Sequence, residues 1–257
     1  MYAGRRGVVW KTPDITADGL KIFACVMMLI QSVGISVVEK GLIGLDQYTQ
    51  ESLSRAMEKN SGLMMLGGVG SVMQLMGGLA APIFAFLLVE GFLNTSNYKK
   101  YLLTMVIFAL VSEIPYDLAM EQKVFDWSGQ NALVSMTICL VMLSCLKTAE
   151  LFTGGMRQFL RLAIVVAASV WVTVFRGESG LGMVLLTAVF YIFYGKNGIK
   201  TVLGILISLF YVTGPLSFYG ICCYNGQRTD RFPKYLYYIF YPLHLLVLGV
   251  IAHYFIT

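Results

Sequence analysis

Residues 80–117 read AAPIFAFLLVEGFLNTSNYKKYLLTMVIFALVSEIPYD: two membrane-length apolar runs joined by a short basic turn at 94–100. Each run carries a carboxylate that a lipid-facing helix should not hold, Glu90 near the end of the first and Glu113 near the end of the second. Asp117 follows Glu113 by four residues, so the two share a helix face. A carboxylate in hydrocarbon costs about 3 kcal/mol or more, which turns such groups towards a protein interior or a wet cavity. The two helices are therefore expected to form the floor of a polar site inside a membrane bundle.

The rest of the chain supports that class. Of 257 residues, 57% are hydrophobic and only 13% charged, against roughly 25% charged in a soluble domain. Repeated apolar windows of membrane length predict an all-α integral membrane protein with about eight transmembrane helices in one bundle and a single domain over 1–257. The expected spans are 20–38, 79–93, 100–120, 130–147, 159–175, 181–195, 199–221 and 235–256. A glycine-punctuated stretch at 63–76 predicts a re-entrant or interfacial helix before the second span, or else close glycine packing between helices. Residues 46–60 predict a short amphipathic surface helix with a Glu51–Arg55 pair. Pro215 is expected to kink the seventh span.

Charge and cysteines narrow the class further. The net charge of +5 is spread over loops, which points to membrane topology and lipid headgroups, not nucleic acid. An even number of spans places both ends on the cytoplasmic side of the cell (inner or plasma) membrane, with 11 Lys and Arg inside and 8 outside. Residues 1–18 carry Arg5, Arg6 and Lys11 but no long apolar core, so the first span is expected to act as an uncleaved anchor. The five cysteines, Cys25, Cys139, Cys145, Cys222 and Cys223, show no metal-ligand spacing and no disulfide framework, and no metal is expected. They read as small buried hydrophobes, with lipidation of the Cys222–Cys223 pair as the other option.

The intramembrane polar residues are Gln31, Glu90, Glu113, Asp117, Gln130, Asn131 and His244. Tyr241 precedes His244 by three and shares its helix face, whereas His253 is out of phase. A desolvated carboxylate or an imidazole can take a proton from an amine or hydroxyl attacking a thioester, and the amides can hold an oxyanion or the acceptor. The plain alternative is that these groups pair with one another across helices. Composition does not separate an acyltransferase from a proton-linked carrier.

The segments GLKIFACVMMLI (19–30), APIFAFLLVEGFLNTSNYKKYL (81–102), IFALVSEIPYDLA (107–119), FDWSGQNA (125–132) and YIFYPLHLLVL (238–248) resemble the TraX family of membrane proteins. The best-known member acetylates the N-terminal residue of conjugative pilin, and the family looks related to multi-span acyltransferases that use acyl-CoA. The resemblance implies transfer of an acetyl group from acetyl-CoA to a peptide or small amine at the membrane. Catalytic candidates are then His244, Glu113, Asp117 and Glu90; substrate-binding candidates are Gln130, Asn131, Tyr241, Gln31 and Ser32. Lys99 and Lys100 are placed to meet CoA phosphates, or simply to mark the cytoplasmic side. This chain departs from the pattern in three places. Gln31 and Ser32 stand where the family reads Asp-His. Gly77–Gly78 replaces Gly-Arg, and Glu178–Ser179–Gly180 replaces an Asp-Tyr-Gly-like element. The departures open two alternatives: a non-catalytic relative that binds a peptide, lipid or partner, and a proton-linked carrier. Oligomeric state is not encoded in any of these features.

Overall fold

In a computed structural model that describes residues 14–227 and 233–252, the chain is helical, with two isolated bridges at Ile15–Tyr224 and Gln130–Gly177. Arg5, Arg6, Lys11 and His253 lie outside the described residues. α1 (Ala17–Val33) starts at a Thr16 cap and runs on as a π-helix, Gly34–Ile43. α2 (Gln50–Lys59) is the surface helix; Thr49 and Ser52 close a capping box and Arg55 pairs with Glu51 at 2.6 Å. Next come α3 (Ser61–Gly77), α4 (Ala80–Leu93), α5 (Tyr98–Met120), α6 (Ala132–Ala149), α7 (Gly154–Val174) and α8 (Gly180–Ile192). α9 (Asn197–Ser208), the short α10 (Phe218–Cys222) and α11 (Lys234–Ile251) complete the chain.

Five stretches among the described residues are long and apolar enough to cross a membrane: Ala17–Ile43, Ser61–Leu93, Tyr98–Met120, Ala132–Ala149 and Gly154–Val174. This is a membrane protein. The apolar helices at Gly180–Ile192, Asn197–Tyr211 and Tyr235–Ile251 are shorter. The structure differs from the expected eight spans in two places.

The first is the stretch before the second span. α3 is not a separate re-entrant piece; it runs into α4 with only a two-residue break, giving a 33-residue apolar run. Its glycines serve close packing. A Cβ on Gly77 would collide with the Gln31 side chain, and one on Gly34 with Met73, so α1 and α3 approach nearly backbone to backbone.

The second is the expected seventh span. The chain enters along α9, turns at Val212 (φ 57°) and returns through a 3-10 turn (Gly214–Ser217) and α10. Thr201 Oγ1 ends 3.9 Å from Cys222 Sγ, and Gly204 packs against the Phe218 ring. The segment is a hairpin that leaves from the end it entered, and the re-entrant element of this fold lies here. Its tip meets the α3–α4 break, where Thr213 donates to the carbonyl of Leu75 and a Cβ on Gly78 would strike the carbonyl of Tyr211. The Thr213 hydroxyl and the Tyr211 carbonyl are thereby engaged by protein, as non-helical backbone at membrane depth requires.

α1 and α11 run parallel: Lys21 stacks over Tyr237, and eleven residues on Ser32 reaches His244. α5 runs the same way, with Phe108 stacked on Tyr238 and Leu118 packed against Gly249. The first and last described helices thus end far from where they start, and both described ends do not share one side as the even count required. The core that holds the helices together includes Leu20, Ile83, Leu88, Leu140, Leu143, Leu146 and Leu245, each at most 2% exposed. Fully burying one such side chain stabilises by about 2 kcal/mol where water is the alternative; against lipid the gain is tighter packing.

Candidate functional site

A cavity of about 630 Å³ opens between α1, α4, α5, α6 and α11. Its entrance sits at the α4–α5 turn, where Glu90, Asn94, Thr95, Ser96, Asn97 and Lys100 meet Lys21. Its walls are apolar, built from Met28, Phe84, Leu87, Met105 and Met136. Its far end is Tyr241 and the first residues of α6, Ala132 and Leu133. The basic turn expected at the start of α5 supplies the entrance. Asn97 caps α5 through the Lys100 N–H, which fixes where that lysine leaves the helix. Lys21 is held by Asp18 at 3.1 Å and by the Tyr237 ring. Lys99 is exposed and stands apart from the lining.

The sequence placed Glu90 and Glu113 in one polar floor. The structure separates them. Glu90 belongs to the entrance, beside Asn94, whose amide reaches its carbonyl at 2.8 Å and its carboxylate at 3.4 Å. Glu113 lies about 20 Å further along α5 than Lys100, at about 1.5 Å per residue.

The other polar residues do converge, at the far end. Asn131 caps α6 by accepting the Leu133 N–H at 3.0 Å, while its amide donates to the Ala109 carbonyl at 2.9 Å and to Glu113 Oε2. One amide therefore starts a helix and holds a carboxylate of the neighbouring helix. Glu113 Oε1 has no protein partner. Asp117, wholly buried, accepts the Asp126 N–H at 2.9 Å and so anchors the 121–130 loop. Asp126 continues the chain of contacts with Lys123 Nζ at 2.7 Å and the Ser128 N–H at 2.8 Å, which hold its carboxyl down to about 2. Gln130 acts through its backbone: its N–H meets the Arg176 carbonyl and its carbonyl takes the Glu178 N–H at 2.7 Å. Gln31, wedged against Gly77, is a packing residue of the α1–α3 contact.

His244 and Tyr241 share a face of α11, with their rings 5.6 Å apart edge to face. His244 Nδ1 lies 2.8 Å from the Phe240 carbonyl, which can only accept, so the proton sits on Nδ1 and Nε2 keeps its lone pair. Nε2 faces Ser32 Oγ at 3.4 Å, and Ser32 Oγ also lies 3.0 Å from the Met28 carbonyl. Met28 and Tyr241 line the cavity, so Ser32 and His244 sit about one helical turn beyond it.

One residue of this end was not among the sequence candidates. Glu178, in the Arg176–Gly180 turn between α7 and α8, accepts a hydrogen bond from the Tyr241 phenol at 3.3 Å. Burial pushes its carboxyl up from the ordinary glutamate value. The turn is held in a strained form, with Arg176 (φ 49°) and Ser179 (φ 67°) both left-handed and no room for a Cβ on Gly177 beside Ser135 Oγ. The signal in the sequence was a carboxylate in a two-glycine turn between apolar runs. Among the described residues no group of three or more His, Cys, Asp and Glu is placed to hold a metal ion.

The family described as TraX protein matches residues 16–252, which takes in the cavity, α11 and the polar end together. The chain belongs to the TraX family. It is also 25% identical over 203 residues to the probable fimbrial assembly protein FimC, serogroup H1, of Dichelobacter nodosus, covering 68% of this chain and 81% of that protein. No solved structure matches the chain. Within the TraX sequence the separation of an entrance cluster from a far polar cluster is a property of the parallel α1, α5 and α11.

Proposed function

We propose that this TraX protein is a membrane acyltransferase that takes acetyl-CoA at the basic entrance and passes the acetyl group to a peptide or small amine at the polar end of the cavity. The observation that carries this reading is the order of chemistry along one cavity. Two ammonium groups, Lys21 and Lys100, stand at the entrance, apolar walls follow, and a phenol with backbone N–H groups lies at the end. Lysine ammoniums and the hydroxyl and amide groups of 94–97 suit phosphates and an adenine nucleotide. The apolar walls suit a pantetheine arm. Tyr241 is the titratable side chain on the lining at that end, and His244, with an Nε2 lone pair, and Glu113 stand beyond it as further proton acceptors. The fimbrial assembly protein matched by the chain agrees with a peptide acceptor at the membrane.

Orientation follows from charge. Lys21, Lys100, Lys147 and Lys200 gather at the entrance end, so we place that end in the cytoplasm, where acyl-CoA is made, with the protein in the inner or plasma membrane. The five long spans are then joined by α8 and α11 as short crossings, and the 197–222 hairpin dips in from the cytoplasmic side.

A second reading has its own support. Ser32 occupies the place of the family histidine and sits against His244, where it cannot act as a base at neutral pH. This favours a non-catalytic relative that binds an acyl-CoA or a peptide in the same cavity. The buried carboxylates alone would also suit a proton-linked carrier. Yet Glu113 meets Asn131 and Asp117 meets a loop N–H, so both already have structural partners.

The test is acetyl-CoA turnover by the protein in nanodiscs against a panel of peptide amines. Lys100→Glu and Lys21→Glu are expected to raise the KM for acetyl-CoA tenfold or more. Binding without turnover supports the non-catalytic reading. Neither binding nor turnover overturns both.

A further inference from the structure

Three groups meet where the cavity ends. The Ala132 N–H, at the start of α6, donates to the Tyr241 phenolic oxygen at 3.1 Å. The phenol in turn donates to Glu178 Oε2 at 3.3 Å. Tyr241 is only 5% exposed and lines the cavity, whereas Glu178 sits in the turn at the opposite end from the entrance. The phenol is thus the last group a cavity ligand touches and the first step of a hydrogen-bonded path that leaves the cavity. The turn is fixed on both sides of Glu178. Its N–H is taken by Gln130, and its carbonyl accepts Ser135 Oγ at 2.6 Å.

We propose that Tyr241 and Glu178 form the acid–base relay of this protein, with Tyr241 the catalytic residue and Glu178 the positioning residue that acts through it. The proposal rests on the acyl-transfer reading above. The acceptor amine nitrogen bonds to the thioester carbonyl carbon and the C–S bond breaks. As the phenol oxygen takes the amine proton, its own proton moves to the Glu178 carboxylate. The proton then returns through Tyr241 to the departing CoA sulfur, so one amine and one acyl-CoA yield one amide and one CoA thiol, with no other reactant. The Ala132 N–H stabilises the negative charge that builds on the phenol oxygen or on the carbonyl oxygen beside it.

Burial favours the protonated carboxyl of Glu178, which brings its proton affinity closer to that of a working base near neutral pH. The titratable groups facing Glu178 are the phenols of Tyr241 on α11, Tyr116 on α5 and Tyr211 after α9. Burial favours the protonated carboxyl, while the bonds from the Tyr241 phenol and the Ala132 N–H favour the carboxylate and hold the pair together.

The experiment is the pH profile of kcat with acetyl-CoA and a peptide amine, for the wild type, Glu178→Gln, Glu178→Asp and Tyr241→Phe, alongside acetyl-CoA binding and thermal stability in nanodiscs. The relay predicts that Glu178→Gln and Tyr241→Phe each lose about 100-fold or more in kcat, with acetyl-CoA affinity within about threefold of wild type. It also predicts that Glu178→Gln removes the acidic limb of the profile and that Glu178→Asp restores part of the rate. A glutamine that keeps the wild-type rate and profile overturns the relay and leaves acyl transfer standing. A wild type that neither binds nor turns over any acyl-CoA overturns acyl transfer and the relay with it.

Discussion

Ser32 Oγ and His244 Nε2 lie 3.4 Å apart across the α1–α11 contact. The hydroxyl has a shorter contact, 3.0 Å, to the Met28 carbonyl in its own helix, so it gives little to the imidazole. Ser32→Ala is therefore expected to cost about 1 kcal/mol or less in stability, read as a small Tm change in nanodiscs. Ser32→His is expected to raise acetyl-CoA turnover at least tenfold, by setting a second imidazole beside His244. Unchanged turnover would show that the serine position is outside the chemistry.

Asn131 performs two tasks with one side chain, and its loss should be felt in both. Asn131→Ala removes the cap on Leu133 and the amide on Glu113, so a drop of about 2–3 kcal/mol is expected from a cap and a charge-assisted bond together. Asn131→Asp keeps the cap but brings a second carboxylate onto Glu113. It should therefore recover only the cap's share of the loss, about 1 kcal/mol. Thermal unfolding of the two variants in nanodiscs checks this.

The hairpin gives a covalent test. In Thr201→Cys, the new thiol faces Cys222 at the distance now spanned by Thr201 Oγ1, 3.9 Å, and mild oxidation is expected to close a disulfide. Mass spectrometry of the 197–222 peptides reads it directly. A single straight span would hold these two residues at opposite membrane faces, and no bond would form.

The 121–130 loop has a calculable acid limit. Asp126 has its carboxyl held down to about 2 by Lys123 and by the Ser128 N–H, against an unfolded value of about 3.9. The folded value is the lower one. Its contribution is therefore complete above about pH 4 and disappears as the pH falls through about 2. Hydrogen exchange of the Ser128 amide should stay protected from pH 7 to pH 4 and lose its protection only below that. Asp126→Asn should remove the dependence.

Gly78→Ala tests the junction between the α3–α4 break and the hairpin tip. The new methyl meets the fixed carbonyl of Tyr211, not a side chain that can swing away. A loss of about 1–3 kcal/mol is expected, seen as a lower Tm.

Much of this was legible in the residues. The apolar windows gave the helices, and the Thr49–Ser52 cap and Glu51–Arg55 pair marked α2 closely. The spacing of Tyr241 and His244 gave their shared face. The 197–222 hairpin was not legible, because a broken apolar stretch of membrane length has the same composition whether it crosses or returns. Only the contacts of Gly204 with Phe218 and of Thr201 with Cys222 tell the two apart. Glu90 and Glu113 were grouped because both are carboxylates near helix ends. An antiparallel pair sends such ends to opposite poles, and sequence spacing within each helix says nothing about that. Glu178 reads in the sequence only as a departure from the family pattern and not as a site residue, because a carboxylate in a turn ordinarily faces water and its partner Tyr241 is 63 residues away.

The parallel course of α1 and α11 has a consequence for how such a chain can be built upon. A reporter joined after α11 would stand on the other side of the bilayer from one joined before α1. Two copies fused head to tail would be inserted upside down relative to each other, so their entrances would open into different compartments. Gene duplication followed by fusion would here produce an antiparallel pair whose two cavities open on opposite sides of the membrane.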